Sequence, residues 1–214
     1  MNTAASETIS RYEKRKIETR TKLLGAARRV LGEKGIDATT IRDITDAADL
    51  GFGSFYNYFS SKEDLLDAVI ASIGAEFGSL IEDQIVSIGD PVEKMAAGIG
   101  NMIGLIRHDA VTCQFLVRMG SVESTIAEAA LGLMESDLRR GMESGQFSVP
   151  DIATARELVF SCLMGFMRGR LSGRLDSTDD AHGVHMILRL LGADDREAER
   201  LGREYARILP APTP

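Results

Sequence analysis

The sequence has few cysteines, no long apolar run and no signal-like start. Its 2 cysteines, Cys113 and Cys162, are far apart and lack metal-site spacing, which argues against a disulfide framework and suits a reducing compartment. No run approaches the roughly 18 apolar residues that a membrane helix needs. The residues after Met1 are polar. We therefore expect a soluble, cytoplasmic protein with no membrane partner.

Catalytic signatures are also missing from the sequence. It has no glycine-rich phosphate loop, nucleophile elbow or HExxH motif, and its 3 histidines have no evident catalytic partners. His182 and His185 are three residues apart, with Asp179 and Asp180 nearby, but a third metal ligand is not evident. We interpret them as a surface pair. We expect no enzymatic activity, no cofactor and no bound metal.

Charge is unevenly distributed along the chain. The net charge is −7, which taken alone argues against a nucleic-acid partner. However, residues 1–65 carry 11 Lys and Arg against 10 Asp and Glu, whereas residues 66–214 carry 14 against 22. Eight of the basic residues lie between positions 10 and 30. A basic end on an acidic body favours a polyanionic partner, although a basic cluster alone is also typical of a solvated helix face.

Helical periodicity without strand-like alternation predicts an all-α fold with nine or ten helices. We expect a domain over residues 1–65, with an N-terminal arm and three helices, joined by a long fourth helix to a helical bundle over residues 66–214. The predicted helices span 12–33, 40–48, 51–59, 62–88, 91–107, 110–119, 122–144, 152–172, 178–191 and 194–208.

Local residues predict several helix ends and inner faces. Thr40 and Asp43 resemble a capping box, Gly35 resembles a left-handed cap, and Ser60 or Ser61 is expected to open the fourth helix. The predicted inner faces are Leu23, Ala27, Val30 and Leu31 in the first helix, Ile41, Ile44 and Ala48 in the second, Phe55 and Phe59 in the third, and Leu66, Val69, Ile73, Phe77, Leu80, Ile81 and Ile85 in the fourth.

The segment Thr39–Leu66, TTIRDITDAADLGFGSFYNYFSSKEDLL, carries the functional prediction. Two short helices separated by Asp49-Leu50-Gly51 indicate a helix-turn-helix. In that motif the start of the second helix meets base edges, and the first helix crosses the backbone. We therefore predict base-side contacts from Arg42, Gly51, Phe52, Gly53 and Ser54, and phosphate contacts from Thr40, Tyr56, Tyr58 and Lys62. The alternative is that the aromatic residues of this segment form a hydrophobic cluster in an unrelated helical protein.

The stretch Lys22–Leu66 resembles the tetracycline-repressor (TetR) family of bacterial regulators. The resemblance depends most on SFYNYFSSKEDLL at Ser54–Leu66, and KGIDATTIRDI is a second match. It implies the same phosphate and base-side contacts on double-stranded DNA. Gly51 and Gly53 depart from the family, whose members commonly carry Ser, Thr, Pro or a larger polar residue there, and Tyr58 replaces a frequent His. The glycines either read bases or let the backbone approach DNA closely.

The segment Glu157–Arg174 is apolar on nearly all sides through Met167, which indicates burial on more than one face. Small residues recur every four positions and would let another helix approach. The TetR resemblance implies a homodimer through the helices at 152–172 and 178–191; an ordinary core helix is the alternative. Two-fold symmetry then predicts a pseudo-palindromic operator with half-sites about 34–36 Å apart. The predicted interface residues are Ser161, Gly165, Gly169 and Gly173.

Methionine-rich positions in the acidic body suit an adaptable cavity for a small apolar effector, or else plain core packing. Arg107, His108 and Arg118 are expected to be solvated, with an anchor for an acidic ligand as the alternative. Both cysteines are expected to be inert core thiols, with redox sensors as the alternative. The candidate effector-binding residues are Met95, Ile99, Met102, Ile103, Phe115, Met119, Met134, Phe160, Met164 and Met167.

The prediction for function is a sequence-specific DNA-binding transcriptional regulator, a repressor released from its operator by a small molecule. The alternatives are an activator, a regulator without an effector, or a helical protein-interaction module. The sequence names neither the operator nor the effector.

Overall fold

The protein is helical, as predicted. The structure is a computed structural model that describes residues 10–119 and 125–206, without the side chains of 77–84, 125–131 and 133. Over these ranges it contains no strand, and its helices are α1 Arg11–Lys34, α2 Ile41–Ala47, α3 Phe52–Phe55, α4 Lys62–Ile85, α5 Pro91–His108, α6 Ala110–Met119, α7 Thr125–Glu143, α8 Ile152–Leu171, a 3-10 helix Ser177–Asp179, α9 Asp180–Leu190 and α10 Asp195–Tyr205.

The chain divides into two compact units within α4, between Val69 and Ile70. Three predicted features lie outside the described residues: the N-terminal arm, the start of the seventh helix at 122–124, and the end of the tenth at 207–208. The predicted spine residues Phe77, Leu80 and Ile81 lie among the side chains that are not described.

Each of the helices α1 to α4 buries apolar residues. The predicted stripe of α1 is buried, and Phe55 and Phe59 are 0% and 3% exposed as expected. In α4, Leu65 rather than the predicted Leu66 is buried, together with Val69 and Ile73. Leu65, Val69 and Ile73 follow one another at four-residue spacing, so they lie on one side of α4.

Short-range hydrogen bonds set the starts of the helices. The predicted Thr40–Asp43 capping box is confirmed: the Asp43 N–H donates to the Thr40 hydroxyl, and the Thr40 N–H donates to the Asp43 carboxylate. The Ser61 hydroxyl accepts from the Asp64 N–H at the start of α4. Gly35 has a positive φ of 83°, but its ψ of 169° is extended, so the predicted left-handed helical cap is wrong in detail.

The third helix is shorter than predicted. Helix α3 ends at Phe55, and residues 56–58 form turns. The Tyr58 N–H donates to the Phe55 carbonyl, and the Ser60 N–H already donates to Asp64 within the next helix. Because α4 is capped only a few residues after the buried Phe55, the chain has no room for the longer helix.

Helix α5 lies at the centre of the C-terminal unit and packs against α6, α7, α8, α9 and α10. Its apolar residues join those of α8 and α9 in one core. Glycines allow close helix approach: a Cβ added at Gly100 would collide with the backbone of Tyr205, and one at Gly202 would lie 2.6 Å from the Ala181 carbonyl oxygen.

A buried ionic network also joins the helices of this unit. Asp180, 2% exposed at the start of α9, accepts from Arg107 of α5 and from Nε of Arg170 of α8 at 2.7 Å. Arg107 also donates to the Ala206 carbonyl at 2.8 Å. Arg107 is exposed, as predicted, but its guanidinium also connects α5 to α9 and to the end of α10.

Throughout the described ranges, no helix combines the length and apolar character needed to cross a membrane.

Candidate functional site

The turn between α2 and α3 has the geometry that a helix-turn-helix needs. Asp49 adopts a left-handed conformation with φ of 55°, and the Leu50 N–H donates to the Thr45 carbonyl at 2.9 Å. Gly51 then caps α3 with φ −65° and ψ 141°, a conformation open to any residue. The turn lies where the sequence predicted it, and Asp49 provides its left-handed residue.

Arg42 and Phe52 share one exposed surface. The Arg42 guanidinium carbon lies 5.7 Å from the Phe52 ring centroid, a cation–π distance. Phe52 is 45% exposed, and its ring meets Tyr56 edge-on with centroids 5.8 Å apart. The contacts bring Arg42 of α2 beside the residues at the start and end of α3. The arginine that was predicted to read bases and an aromatic ring thus lie together on this surface.

Gly51 and Gly53 leave the backbone of α3 open. Both are exposed, and neither has a positive φ. A Cβ at Gly51 would meet only the Ser54 hydroxyl, at 3.9 Å, and a Cβ at Gly53 would meet nothing within 4 Å among the described residues. The fold itself does not require glycine at either position. Close backbone approach by a partner gives a physical reason for both.

The residues that were predicted to contact phosphate differ in their exposure to solvent. Tyr56 is 54% exposed, whereas Tyr58 and Lys62 are half-buried. The Lys62 ammonium donates to the carbonyls of Ile36 and Thr39, at 2.8 and 3.1 Å. It therefore ties down the loop that precedes Thr40. This positioning role could not be predicted from the sequence, because the two carbonyls are more than 20 residues away along the chain.

Charge at the start of α2 is balanced by a residue that the sequence analysis did not single out. Lys34, in the last turn of α1, lies 2.7 Å from the Asp43 carboxylate. The hydrogen bond from Lys34, and those from the Thr40 N–H and hydroxyl, hold the pKa of Asp43 well below its usual range. Asp43 is therefore ionised at neutral pH, and its negative charge at the predicted phosphate end is offset by Lys34.

Part of the basic cluster serves the N-terminal unit itself. The Arg20 guanidinium carbon lies 5.4 Å from the Phe59 ring centroid, and Arg29 donates to the Ala47 carbonyl at 3.1 Å. The earlier basic residues, Arg11 to Lys16, are exposed. Basic character along α1 alone could not distinguish these two roles.

Most candidate effector residues are buried in the C-terminal unit. Phe115 is 1% exposed, and Met119 is also buried. The other candidates belong to the apolar core or pack against it: Met95, Ile99, Ile103, Met164 and Met167 are buried, and Met102, Met134 and Phe160 are partly buried. The effector assignment of this set stays a prediction.

A groove of about 330 Å³ runs along α8 beside Val117 of α6. It combines two candidate effector residues, Phe160 and Met164, with two candidate interface residues, Ser161 and Gly165, between Glu157 at one end and Arg168 at the other. Ser161 and Gly165 are exposed. Both are available to a partner helix.

The two remaining interface glycines have reasons within one subunit. A Cβ at Gly169 would lie 2.8 Å from a methyl carbon of Leu175, so its small size serves internal packing. Gly173 has φ +71° just after α8, which favours glycine. The four-residue repeat therefore combines two open positions with two that the subunit itself requires.

Apolar side chains are also exposed elsewhere on α8 and on α9. Leu158 of α8 and Met186 and Leu190 of α9 are 46%, 70% and 44% exposed. Cys162 is exposed too, so the prediction of two core thiols is wrong for it, whereas Cys113 is buried and burial raises the pKa of its thiol to about 12. An exposed apolar face of this kind is typical of an interaction surface.

The paired histidines are on α9. His185 Nε2 lies 3.0 Å from the Asp195 carboxylate, and His182 is exposed. Within the ranges that the structure describes, no group of three or more His, Cys, Asp or Glu is arranged to hold a metal ion.

Two family patterns match the chain. The pattern described as "Bacterial regulatory proteins, tetR family" matches residues 23–69. The pattern described as "Tetracyclin repressor-like, C-terminal domain" matches residues 90–204, more than half of the chain. The first covers the helix-turn-helix, and the second covers α5 to α10.

Relatives match at moderate identity. The fatty acid metabolism regulator protein of Bacillus subtilis (strain 168) is 25% identical over 150 residues, which cover 66% of this chain and 77% of that protein. The HTH-type transcriptional repressor KstR2 of Rhodococcus jostii (strain RHA1) is 47% identical over 136 residues, covering 57% of this chain and 66% of the repressor.

Solved structures share the fold. RolR in complex with resorcinol matches with a TM-score of 0.66 at 28% identity, covering 95% of this chain and 100% of that one. A gamma-butyrolactone receptor, at 17% identity, supports the fold alone with a TM-score of 0.69, covering 90% and 98%. Together with the helix-turn-helix geometry, these matches confirm the predicted resemblance: the chain belongs to the TetR family of DNA-binding transcriptional regulators.

Proposed function

We propose that this regulator is a homodimeric repressor that binds a pseudo-palindromic operator and is released from it by a small molecule. Among its relatives, KstR2 is named a transcriptional repressor. RolR was solved with resorcinol, and a Bacillus subtilis FadR was solved with stearoyl-CoA. These ligands differ in size and polarity, so they support an effector without identifying one for this chain.

The observation that carries the DNA-binding part is the juxtaposition of Arg42, Phe52 and the open backbone at Gly53. We assign Arg42 to base reading, because an arginine can donate two hydrogen bonds to a guanine edge. Phe52 would contact thymine methyl groups, and Gly51, Gly53 and Ser54 would let α3 approach the groove floor closely. Specificity at this surface would then come from Arg42 and from DNA shape.

Phosphate contacts would fix the position of this surface on the duplex. Tyr56 and Tyr58 offer hydroxyl groups, and the backbone amides at the start of α2, beside Thr40, suit a phosphate oxygen. Lys62 would act in two ways: its charge attracts phosphate, and its bonds to Ile36 and Thr39 hold the loop in front of Thr40.

The open face of α8 and α9 is the proposed dimer interface. Ser161 and Gly165 permit close helix approach, and Leu158, Met186 and Leu190 supply apolar area. Glu157 and Arg168 lie at opposite ends of the α8 groove. Antiparallel packing of two α8 helices about a two-fold axis would bring Glu157 near Arg168 of the partner subunit, so this surface is complementary to itself.

The dimer would convert effector binding into release from DNA. Two-fold symmetry sets the separation of the two α3 helices, which must match half-sites about 34–36 Å apart. A ligand that binds better to an arrangement with the wrong separation lowers the affinity for DNA by the difference in its own binding free energies.

DNA binding is tested by fluorescence anisotropy with the duplex that lies upstream of the protein's own gene. We expect nanomolar binding that weakens steeply as salt rises, because Lys and Arg displace counterions from phosphates. Arg42→Ala should reduce the preference for this duplex over a scrambled one, whereas Lys62→Ala should weaken binding to both about equally.

Arg203→Ala is the matched control, because Arg203 lies on the exposed side of α10 and pairs with Glu199 at 2.9 Å. It should leave binding unchanged. Equal effects of the Arg42 and Lys62 variants on the two duplexes would contradict the division between base and phosphate contacts. Failure of the native protein to prefer any upstream duplex would contradict operator recognition.

The dimer is tested by sedimentation of Gly165→Arg. A long charged side chain in the α8 groove should shift the protein to monomer and abolish cooperative operator binding. Gly132→Arg is the control, since Gly132 is an exposed helical glycine of α7 and an added Cβ would meet nothing within 4 Å among the described residues. A dimeric Gly165→Arg protein would place the interface elsewhere.

A further inference from the structure

We propose that the side-chain amide of Asn101 is the polar anchor of the effector site and binds an uncharged hydroxyl or carbonyl group of a largely apolar ligand. This inference rests on the proposed function and goes further, because it names one recognition residue and the ligand chemistry that fits it.

Asn101 of α5 is buried, and its side-chain amide has no hydrogen-bond partner among the residues that the structure describes. Asn101 is only 4% exposed, and neither Nδ2 nor Oδ1 is paired there. Leaving a buried amide unpaired is costly, and folded proteins satisfy the great majority of such groups. An amide unpaired at both ends in the middle of a helix is therefore a group that awaits a partner from outside the chain.

Asn101 lies on the same side of α5 as Lys94, which contacts α7. Lys94, two helical turns before Asn101 and hence on nearly the same side, lies 3.2 Å from Asp137 of α7. A second contact, from Arg140 to the Gly89 carbonyl at 2.8 Å, shows that α7 runs antiparallel to α5. The unpaired amide thus lies on the side of α5 whose Lys94 contacts α7.

Only small or apolar residues adjoin the amide on its own helix. Its neighbours on the helix surface at i−4, i−3 and i+3 are Ala97, Gly98 and Gly104. A Cβ added at Gly98 would meet no described heavy atom within 4 Å outside its own helical neighbourhood. The remaining neighbour, Leu105, is buried and apolar. The surroundings that α5 itself gives the amide are therefore suited to a largely apolar ligand.

The chemistry of this site favours an uncharged ligand group. An asparagine amide offers two donor hydrogens and an acceptor oxygen, so it can bind a hydroxyl, ketone, ester or amide. The cation on the same stripe, Lys94, already pairs with Asp137. A charged ligand group at Asn101 would have to be buried without a counter-ion, which is far more costly than burying a neutral one.

The test uses phenol and toluene as probes, because they have nearly the same shape and differ in one hydroxyl group. The chain contains three asparagines, Asn2, Asn57 and Asn101, so ¹⁵N-asparagine labelling of the full-length protein gives three side-chain NH₂ signals. Phenol should shift the Asn101 signal and leave that of Asn57, exposed in the N-terminal unit, unchanged. Phenol should also bind at least about tenfold more tightly than toluene, as expected when a buried polar group gains its hydrogen bond.

The Asn101→Leu variant distinguishes an asparagine that binds ligand from one that only stabilises the fold. Removing an unpaired buried amide while keeping its volume should raise the melting temperature and reduce the preference for phenol to less than about twofold. Asn57→Leu, the exposed control, should retain the phenol preference. A fall in the melting temperature of Asn101→Leu, or equal binding of phenol and toluene to the native protein, would overturn the proposal.

Failure of this proposal is distinguishable from failure of the proposed function. If Asn101→Leu still binds the operator and is still released by an effector found through genetic screening, the repressor function stands and Asn101 is not its anchor. If the native protein does not bind operator DNA, but phenol still shifts Asn101 selectively, the amide site stands without the proposed regulatory role.

Discussion

Gly51 and Gly53 of the N-terminal unit could carry side chains without disturbing the fold, whereas Gly202 of the C-terminal unit could not. Around the first two, an added Cβ would be at least 3.9 Å from any described neighbour, but at Gly202 it would be 2.6 Å from a backbone oxygen. The same residue type is thus dispensable to the fold in one unit and necessary in the other.

The Lys34–Asp43 ion pair of the N-terminal unit is also more exposed than the ion pairs of Asp180 in the C-terminal unit. The Lys34–Asp43 pair has side chains 46% and 29% exposed, while Asp180 of the C-terminal unit is 2% exposed and contacts two arginines from other helices. Exposed polar groups remain available to an external partner, whereas buried ones are committed to holding helices together. Substitutions in the two units should therefore have separable effects on DNA binding and stability.

The largest effect is expected from Asp180→Ala. The change leaves Arg107 and Arg170 without their shared counter-ion, and removing one partner of a buried ion pair typically costs about 3–5 kcal/mol. Urea unfolding followed by circular dichroism measures the loss. Asp195→Ala is the control, because its carboxylate is 69% exposed beside His185 and Arg189, and little change is expected. Equal destabilisation by the two variants would show that buried and exposed ion pairs contribute equally to the stability of this protein.

Gly202→Ala should come next. Its methyl group would force α9 and α10 apart at the Ala181 carbonyl, with a cost of about 1–3 kcal/mol in the free energy of unfolding. Gly132→Ala should instead stabilise α7 by about 0.5–1 kcal/mol, because alanine has the higher helix propensity and the position is open. An unchanged stability for Gly202→Ala would mean that the two helices can separate at little cost.

Gly53→Ala should affect binding rather than folding. We expect unchanged or slightly higher stability and a roughly tenfold loss of operator affinity, about 1.4 kcal/mol, because the methyl group would lie between α3 and the DNA. Anisotropy and thermal unfolding of the same sample separate the two effects. Native-like affinity for Gly53→Ala would mean that the α3 backbone does not approach the duplex closely.

The smallest expected effect is on the pH dependence of thermal stability. The folded pKa of Asp43 is lowered by Lys34 and by the Thr40 groups, so ionised Asp43 stabilises the fold above its unfolded pKa of about 4, and this contribution is lost as pH falls towards the folded pKa. Asp43→Asn should therefore have a slightly lower melting temperature than the native protein at pH 6. The difference between the two melting temperatures should narrow below pH 4. A difference independent of pH would show that the carboxylate charge is not what stabilises the start of α2.

Local features were predictable because the interacting groups lie a few residues apart. The Thr40–Asp43 capping box, the Asp49–Gly51 turn and the bounds of α6 all follow from such neighbours, and the SFYNYFSSKEDLL string was sufficient to indicate the family. The short α3 was missed because its end depends on two hydrogen bonds that compete for the same few residues, one from Tyr58 to Phe55 and one from Ser60 to Asp64.

The sequence alone therefore determined the helical class, the helix-turn-helix and the family, since periodicity, caps and turns are encoded over short distances. Only the tertiary structure decided that Lys62 reaches back to Ile36 and Thr39, that Cys162 is exposed while Cys113 is buried, and that Asn101 is enclosed without a partner. Each of these depends on which helix faces touch, and that is fixed by packing between segments far apart in the chain.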